Sequence, residues 1–198
     1  MKLNLDTIPP ERLALLDSAQ LYQGSHEGRG GPDCKHCARE LLHEVVTGVH
    51  ADATPPGCSV MLSILPPIND GPWRDDAHRT EVIRPYLRKM LLLDPALDEK
   101  RTYALIDHVY RNVLPDVCDA LKLDKHGSAL RALAPIVDHQ SALAALAALA
   151  ASATLDARAA LDALDASATL DASATLDARA ASWERGVRIV LDLICTEE

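Results

Sequence analysis

The chain has 198 residues with 29 acidic and 20 basic side chains, and its formal net charge is −9. That balance argues against nucleic acid as a partner, because phosphate contacts need a basic face. Hydrophobic residues make up 48% of the chain, but aromatic residues make up only 3% and phenylalanine is absent. An aliphatic core of this kind favours helices over sheets, and the length suits one domain with or without an extension.

The composition also predicts the compartment. The first residues contain acids and prolines where the apolar centre of a secretory signal would lie. The sequence contains no stretch of about 18 uncharged, strongly apolar residues, the length that a membrane-spanning helix needs. The five cysteines are an odd number and are unevenly spread, so we expect reduced thiols in the cytoplasm and no membrane partner.

Helix start and stop residues recur along the N-terminal part. Pro9 and Pro10 suit the first turn of a helix that Gly24 ends. After a glycine-rich loop, Asp33 is the expected N-cap of a helix that ends at Gly48.

Apolar spacing predicts further helices over residues 59–65, 75–93, 97–114, 117–123 and 129–134. Residues 66–73 are expected to form a loop. Pro85 should force a start, a kink or a break in the second of these helices, and Pro115 should separate the third from the fourth.

Residues 141–181 consist almost entirely of Ala, Leu, Asp, Ser, Thr and Arg, with neither Gly nor Pro. Six-residue units that begin with Leu-Asp resemble the repeat of a left-handed β-solenoid, but too few units are present to stack. Ala and Leu favour a helix instead. A single helix would be too long for a small domain, so we expect two packed helices with a break near residues 165–169.

The last segment has a regular apolar face. Trp183, Val187, Val190, Leu191 and Ile194 recur at helical spacing, so this helix should dock on the N-terminal core. The sequence therefore predicts an all-α protein. A compact helical domain over residues 1–140 carries an alanine-rich helical hairpin, and residues 141–198 hold that tract and the closing helix.

The reactive side chains are concentrated between His26 and Cys58. Cys34 and Cys37 have the Cys-x-x-Cys spacing of a zinc knuckle at an expected helix N-terminus. Zinc takes four nitrogen or sulfur ligands. Cysteines 34, 37 and 58 with one of histidines 26, 43 and 50 would complete such a site, although plain thiols and surface histidines are the favoured interpretation of this segment.

The same segment also contains two patterns that are typical of catalytic sites. Glu40 and His43 match the Glu-x-x-His spacing of di-iron bundles, but a second such motif is lacking. Cys37 with His26 or His50 has the chemistry of a nucleophile pair, without an identifiable oxyanion hole.

Several segments together resemble a set of uncharacterised alanine-rich bacterial and phage proteins. They are Ser25-His26, Cys37-Ala-Arg-Glu40, His50-Ala-Asp52, Cys58, Asn69-Asp70, Ile83-Arg-Pro-Tyr-Leu and Leu130-Arg-Ala-Leu-Ala-Pro-Ile-Val-Asp138. The resemblance implies an alanine-rich tract followed by a short apolar helix, and no established activity. It favours Cys37, Glu40, Asp52 and Cys58 as the positions that matter, and Cys34 is not part of it.

These observations lead to one leading function and two alternatives. The leading hypothesis is a non-enzymatic binding or assembly protein, with or without a structural metal such as zinc near Cys37 and Cys58. The first alternative is an enzyme that uses those cysteines with Glu40 or Asp52 as acid or base. The second is a structural protein that self-associates through the alanine-rich tract as a homo-oligomer.

Overall fold

The computed structural model describes residues 3–26, 34–53, 55, 57, 59–120, 122–153 and 176–195, without the side chains of 120, 149–153 and 176–179. Within these ranges every regular element is a helix, and the single β-bridge joins Leu21 to His36. The all-α prediction is confirmed. Among the described helices, none combines the length and the apolar composition needed to cross a membrane.

The α-helices are α1 (Pro10–Leu13), α2 (Leu15–Ser18), α3 (Ala38–Thr47), α4 (Ser59–Asn69), α5 (Asp76–Leu92), α6 (Asp98–His108), α7 (Leu114–Ala120), α8 (Asp124–Arg131), α9 (His139–Ala153) and α10 (Leu176–Cys195). Short 3-10 helices cover Leu5–Thr7 and Pro95–Leu97, and a π-helical turn covers Val109–Val113.

The chain forms two compact units. The first comprises Met1–Asp98 together with Leu176–Glu198, and the second comprises Glu99–Thr175. The predicted boundary between residues 140 and 141 falls inside the second unit. In the first unit, α10 packs on α5 as its apolar spacing predicted, and Leu191 and Ile194 are fully buried there.

The N-terminal helix is shorter than predicted. Two single-turn helices, α1 and α2, replace the expected helix to Gly24, and the chain then runs extended through Leu21. The next helix begins at Ala38 with Cys37 as its N-cap, so Asp33 is not the cap. Gly48 ends this helix at a φ of 79°, the left-handed conformation that a C-cap glycine adopts at little cost.

Prolines end fewer helices than the sequence indicated. Pro66 and Pro67 lie inside α4, where a loop was expected, and Pro85 lies inside a continuous α5. Each proline removes one helical hydrogen bond. Buried neighbours such as Leu65 and Ile83 hold these helices through packing, which outweighs the lost bond.

Pro115 lies in the first turn of α7, directly after the π-helical turn Val109–Val113. In a regular helix its ring would clash with the carbonyl four residues earlier, and the wider π turn accommodates it. The helix therefore continues where an interruption was predicted. Similarly, α8 begins at Asp124, five residues before the predicted start at 129.

The alanine-rich tract is described only at its ends. Its first residues belong to α9 and its last residues begin α10, which agrees with helix at both ends. The predicted break near residues 165–169, and with it the choice between one helix and a hairpin, lies outside the described residues.

Candidate metal centre

Cys37 and Glu40 form a capping box at the start of α3. The Glu40 amide donates to Cys37 Sγ at 3.4 Å, and the Cys37 amide donates to Glu40 Oε2 at 2.7 Å. Cysteine thus takes the place that serine or threonine usually fills in this motif. The cap satisfies two amides that the first turn of a helix otherwise leaves without partners.

Glu40 also binds His26. The His26 amide donates to Oε1 at 2.5 Å, and His26 Nδ1 lies 3.1 Å from Oε2. Burial opposes ionisation of this fully buried carboxyl, but the hydrogen bonds from Cys37 and His26 outweigh burial and lower its pKa. Glu40 is therefore an ionised structural anchor and is poorly suited to act as a general acid.

The environment of Cys37 keeps its thiol protonated. Burial raises the pKa of Cys37 to about 12, and the charge of Glu40 also contributes. A nucleophile or a metal ligand must be a thiolate. Cys37 therefore serves as a helix cap. Its protonated thiol makes the nucleophile pairs with His26 or His50 chemically unfavourable.

Asp52 lies near Cys37 and Glu40, and one ligand atom from each of the three falls within 4.8 Å of the others. However, Asp52 accepts a hydrogen bond from Arg39 Nε at 2.9 Å, with a second contact from the same guanidinium. Both carboxylates in this group already have strong partners. The group is better explained as a helix cap beside an ion pair than as a metal site.

A second group has a different character, and His36 is at its centre. The His36 carbonyl accepts from the Tyr22 amide at 2.8 Å, which fixes the backbone of His36 beside the Leu21 segment. The ring is fully buried, and its Nε2 lies 2.9 Å from Glu44 Oε2. Its Nδ1 has no hydrogen-bond partner among the described residues, although buried polar atoms seldom lack one.

His50 approaches from the loop after α3. Its Nδ1 lies 3.0 Å from the same oxygen, Glu44 Oε2, and its ring stacks edge-on against His36 with centroids 4.8 Å apart. Its Nε2 lies 3.0 Å from the His26 carbonyl oxygen and 3.9 Å from Cys34 Sγ. One ligand atom from each of Cys34, His36 and His50 lies within 4.8 Å of the others.

The separations in this group are close to those of a zinc site. Two ligands on a tetrahedral zinc, one sulfur and one nitrogen, lie about 3.6 Å apart for Zn–S near 2.3 Å and Zn–N near 2.05 Å. The observed 3.9 Å between Cys34 Sγ and His50 Nε2 is near that value. The three ligand atoms of the group all lie within 4.8 Å of one another.

The structure thus divides the predicted ligand set. Cys34 and His50 come together, whereas Cys37 and His26 meet at Glu40. Cys58 lies outside the described residues. His43 instead lies 2.9 Å from the Val49 carbonyl through Nδ1, at the C-terminal end of α3.

The sequence-based prediction included His36 and Glu44 among the reactive side chains between His26 and Cys58 but did not select either as a site residue. Glu44 follows Glu40 by four residues, so both carboxylates lie on one face of α3. Two glutamates at this spacing beside several histidines were a usable signal. The packing of His36 against Leu21 depends on tertiary structure, and no local pattern indicated it.

Comparisons with known proteins provide no relative on which to base a function. No family model, no curated protein and no solved structure matches this chain. The resemblance to uncharacterised alanine-rich proteins stays a prediction, and the function has to be argued from the residues of the site itself.

Proposed function

We propose that this protein is a non-enzymatic helical binding or assembly protein whose first unit holds a structural zinc ion at Cys34, His36 and His50. The observation that carries the proposal is the convergence of one thiol and two imidazoles, with one nitrogen of each ring held by a single carboxylate oxygen of Glu44. Thiolate and imidazole are the ligands that zinc prefers in proteins.

The unpartnered nitrogen of His36 supports the same proposal. With Nε2 bound to Glu44, Nδ1 is the atom left for a metal, and metal coordination would satisfy it. A metal at His50 Nε2 would replace the contact with the His26 carbonyl. The fourth ligand is then water or Cys58, the ligand that the sequence predicted.

The site would fasten three separate segments of the first unit. Cys34 and His36 precede α3, His50 follows it, and Tyr22 ties the N-terminal segment to His36. A metal that links such segments contributes directly to folding free energy, because the unfolded chain holds no preformed site. This role suits a structural zinc in a unit with an aliphatic core.

Elemental analysis of the full chain, purified without chelator, tests the proposal. We expect about one equivalent of zinc, lost in C34S, H36Q and H50Q. C37S is the matched control, because Cys37 is three residues from Cys34 but belongs to the helix cap. A metal-free wild type, or zinc lost in C37S but kept in C34S, would overturn the proposal, and C58S tests the fourth ligand.

One observation favours a second candidate, an enzyme with Cys34 as nucleophile. Cys34 Sγ, His50 Nε2 and Glu44 follow the order of a nucleophile, its base and an orienting carboxylate. The thiol–imidazole distance of 3.9 Å is long, and the nitrogen already contacts the His26 carbonyl. This candidate also leaves the unpartnered Nδ1 of His36 without a purpose.

Alkylation with iodoacetamide distinguishes the two candidates. The enzyme candidate predicts fast, selective labelling of Cys34 that H50Q slows, whether or not zinc is present. The zinc candidate predicts that added zinc protects Cys34 and that chelation restores labelling. Labelling that zinc does not affect would favour the enzyme.

Self-association is a further proposal about partners. In the described part of α9, Leu143 and Leu146 are each 52% exposed and lie about one turn apart, so they offer an apolar surface to a second copy. Light scattering of the full chain tests it. A monomer that persists at high concentration, with L143S/L146S unchanged in mass, would reject a homo-oligomer built through this helix.

A further inference from the structure

Among the residues that the structure describes, the side chain of Glu44 contacts both imidazoles of the proposed zinc site. We infer that Glu44 is a positioning residue that fixes which nitrogen of His36 and of His50 is presented to the metal. This inference rests on the proposed function. It adds Glu44 as a residue that does not bind the metal itself but on which metal affinity depends.

The tautomers follow from the hydrogen bonds. A carboxylate accepts hydrogen bonds, so His36 must carry hydrogen on Nε2 and His50 on Nδ1 to satisfy the contacts of 2.9 and 3.0 Å with Glu44 Oε2. The opposite nitrogens, Nδ1 of His36 and Nε2 of His50, are then the ones that can offer a lone pair to a metal. Nε2 of His50 faces the His26 carbonyl oxygen at 3.0 Å, an acceptor, so it must give up that contact and any hydrogen shared in it when the metal binds. Reversal of either tautomer would point an N–H at the ion.

The position of Glu44 is rigid. It lies in α3 between buried Leu41 and Val45, and only 6% of its surface is exposed. The two rings that it holds are packed edge-on, and the backbone of His36 is tied to Tyr22. The carboxylate therefore holds both rings in place before any metal binds, which lowers the ordering cost of coordination.

The charge of the carboxylate matters as well as its shape. An ionised acceptor forms a stronger hydrogen bond with the ring N–H than a neutral acceptor does. It also raises the basicity of the opposite nitrogen of the ring. A glutamine at this position offers one amide oxygen that still accepts from both rings, but without the charge. Replacement by alanine removes the acceptor altogether and frees both tautomers.

The test measures zinc affinity of the full chain by competition with a chromogenic chelator, in wild type, E44Q and E44A. We expect E44A to bind zinc about 10- to 100-fold more weakly and E44Q to show a smaller loss. E184Q is the matched control, because Glu184 holds His78 Nε2 at 3.0 Å in another part of the unit. Its zinc affinity should equal that of wild type.

Cobalt substitution gives a readout that a general loss of stability would not move. In wild type, Co²⁺ should give thiolate charge-transfer and d–d bands, and in E44Q these bands should shift although the apo protein unfolds at nearly the same temperature. If E44A fails to fold, the E44Q spectrum and affinity decide. If E44Q keeps the zinc affinity and the cobalt spectrum of wild type while C34S and H36Q abolish binding, the inference is overturned. Absence of zinc binding by wild type would overturn the proposed function, and the inference with it.

Discussion

Glu40 and Glu44 lie one turn apart on α3, and each buried carboxylate is bound to histidine from a neighbouring loop. The two residues nevertheless have different roles. Glu40 closes a helix cap and anchors His26, whereas Glu44 orients the pair of rings in the proposed zinc site. The spacing places both carboxylates on one helical face, so substitution of each residue tests a different role.

Removal of the Glu40 carboxylate should strongly destabilise the first unit. In E40A the amides of Cys37 and His26 and the ring of His26 all lose their acceptor. We expect the free energy of unfolding to fall by about 2–4 kcal/mol, measured by urea denaturation. The control E11A removes an exposed glutamate from α1. Equal unfolding midpoints for E40A and E11A would contradict the anchoring role.

Cys37 should tolerate serine better than alanine. A serine hydroxyl can accept from the Glu40 amide as Sγ does, whereas alanine leaves that amide without its cap. We expect C37A to lose about 1 kcal/mol of unfolding free energy and C37S to lose less. Thermal denaturation measures both variants. Equal losses would show that the thiol contributes through packing and not through the cap.

The thiol of Cys37 should also react slowly. Because burial raises its pKa to about 12, the thiolate fraction near pH 8 is very small. Timed labelling of the chelator-treated protein with iodoacetamide, followed by peptide mass analysis, should modify Cys34 well before Cys37. Rapid modification of Cys37 in the folded protein would show that it is not held as a protonated cap.

Two glycines test how α10 docks. A Cβ added at Gly71 would lie 2.1 Å from a ring atom of Trp183, whereas one added at Gly186, within α10, meets nothing within 4 Å. We expect G71A to destabilise the unit by about 1–3 kcal/mol through overpacking. G186A should stabilise it by about 0.5–1 kcal/mol through helix propensity. Thermal unfolding followed by tryptophan fluorescence measures both, and a neutral G71A would contradict the close packing.

The link between α10 and α5 should weaken in acid. Glu184 lies 2.8 Å from Arg188 Nε and 3.0 Å from His78 Nε2, and these hydrogen bonds lower the pKa of its carboxyl below the usual 4.5. A lowered folded-state pKa stabilises the protein above pH 4.5, and this stabilisation is lost as pH falls below that value. The side chain is 28% exposed, so we expect less than about 1 kcal/mol.

A pH series of urea denaturations measures this effect. Wild type should lose more stability than E184Q between pH 7 and pH 3, because glutamine cannot be protonated in this range. D17N is a suitable control, since its ion pair with Arg88 is largely exposed. Identical slopes for wild type and E184Q would show that the contact contributes nothing to stability.

The sequence predicted the helical class because aliphatic composition and helical spacing are local properties. Gly48 as a C-cap and the apolar face that includes Val187 and Leu191 were predicted for the same reason. The loop predicted at Pro66 and the interruption predicted at Pro115 were wrong. Local rules treat proline as a break, but the packing of neighbouring residues, which the sequence does not display, holds α4 together at Pro66. Pro85 lies inside α5, which excludes the predicted start or break there.

The candidate site lies within the segment from residue 26 to 58 that the sequence singled out. The structure brings together two of the proposed ligands, Cys34 and His50, and their role as ligands stays a prediction. Knuckle spacing led the prediction to pair Cys34 with Cys37. The structure separates them, because Cys37 turns into the helix cap while the chain before it bends towards His50. Only tertiary contacts of that kind could have identified His36.

The division of the first unit into residues before 99 and after 175 affects how the protein is made. Leu191 and Ile194 are fully buried in that unit. During synthesis, the N-terminal helices must therefore wait, with an apolar surface uncovered, until the ribosome has completed the second unit and the repeats. A nonsense codon within the repeats would therefore remove the helix that completes the first unit. Gains or losses of whole repeats in frame would keep that helix.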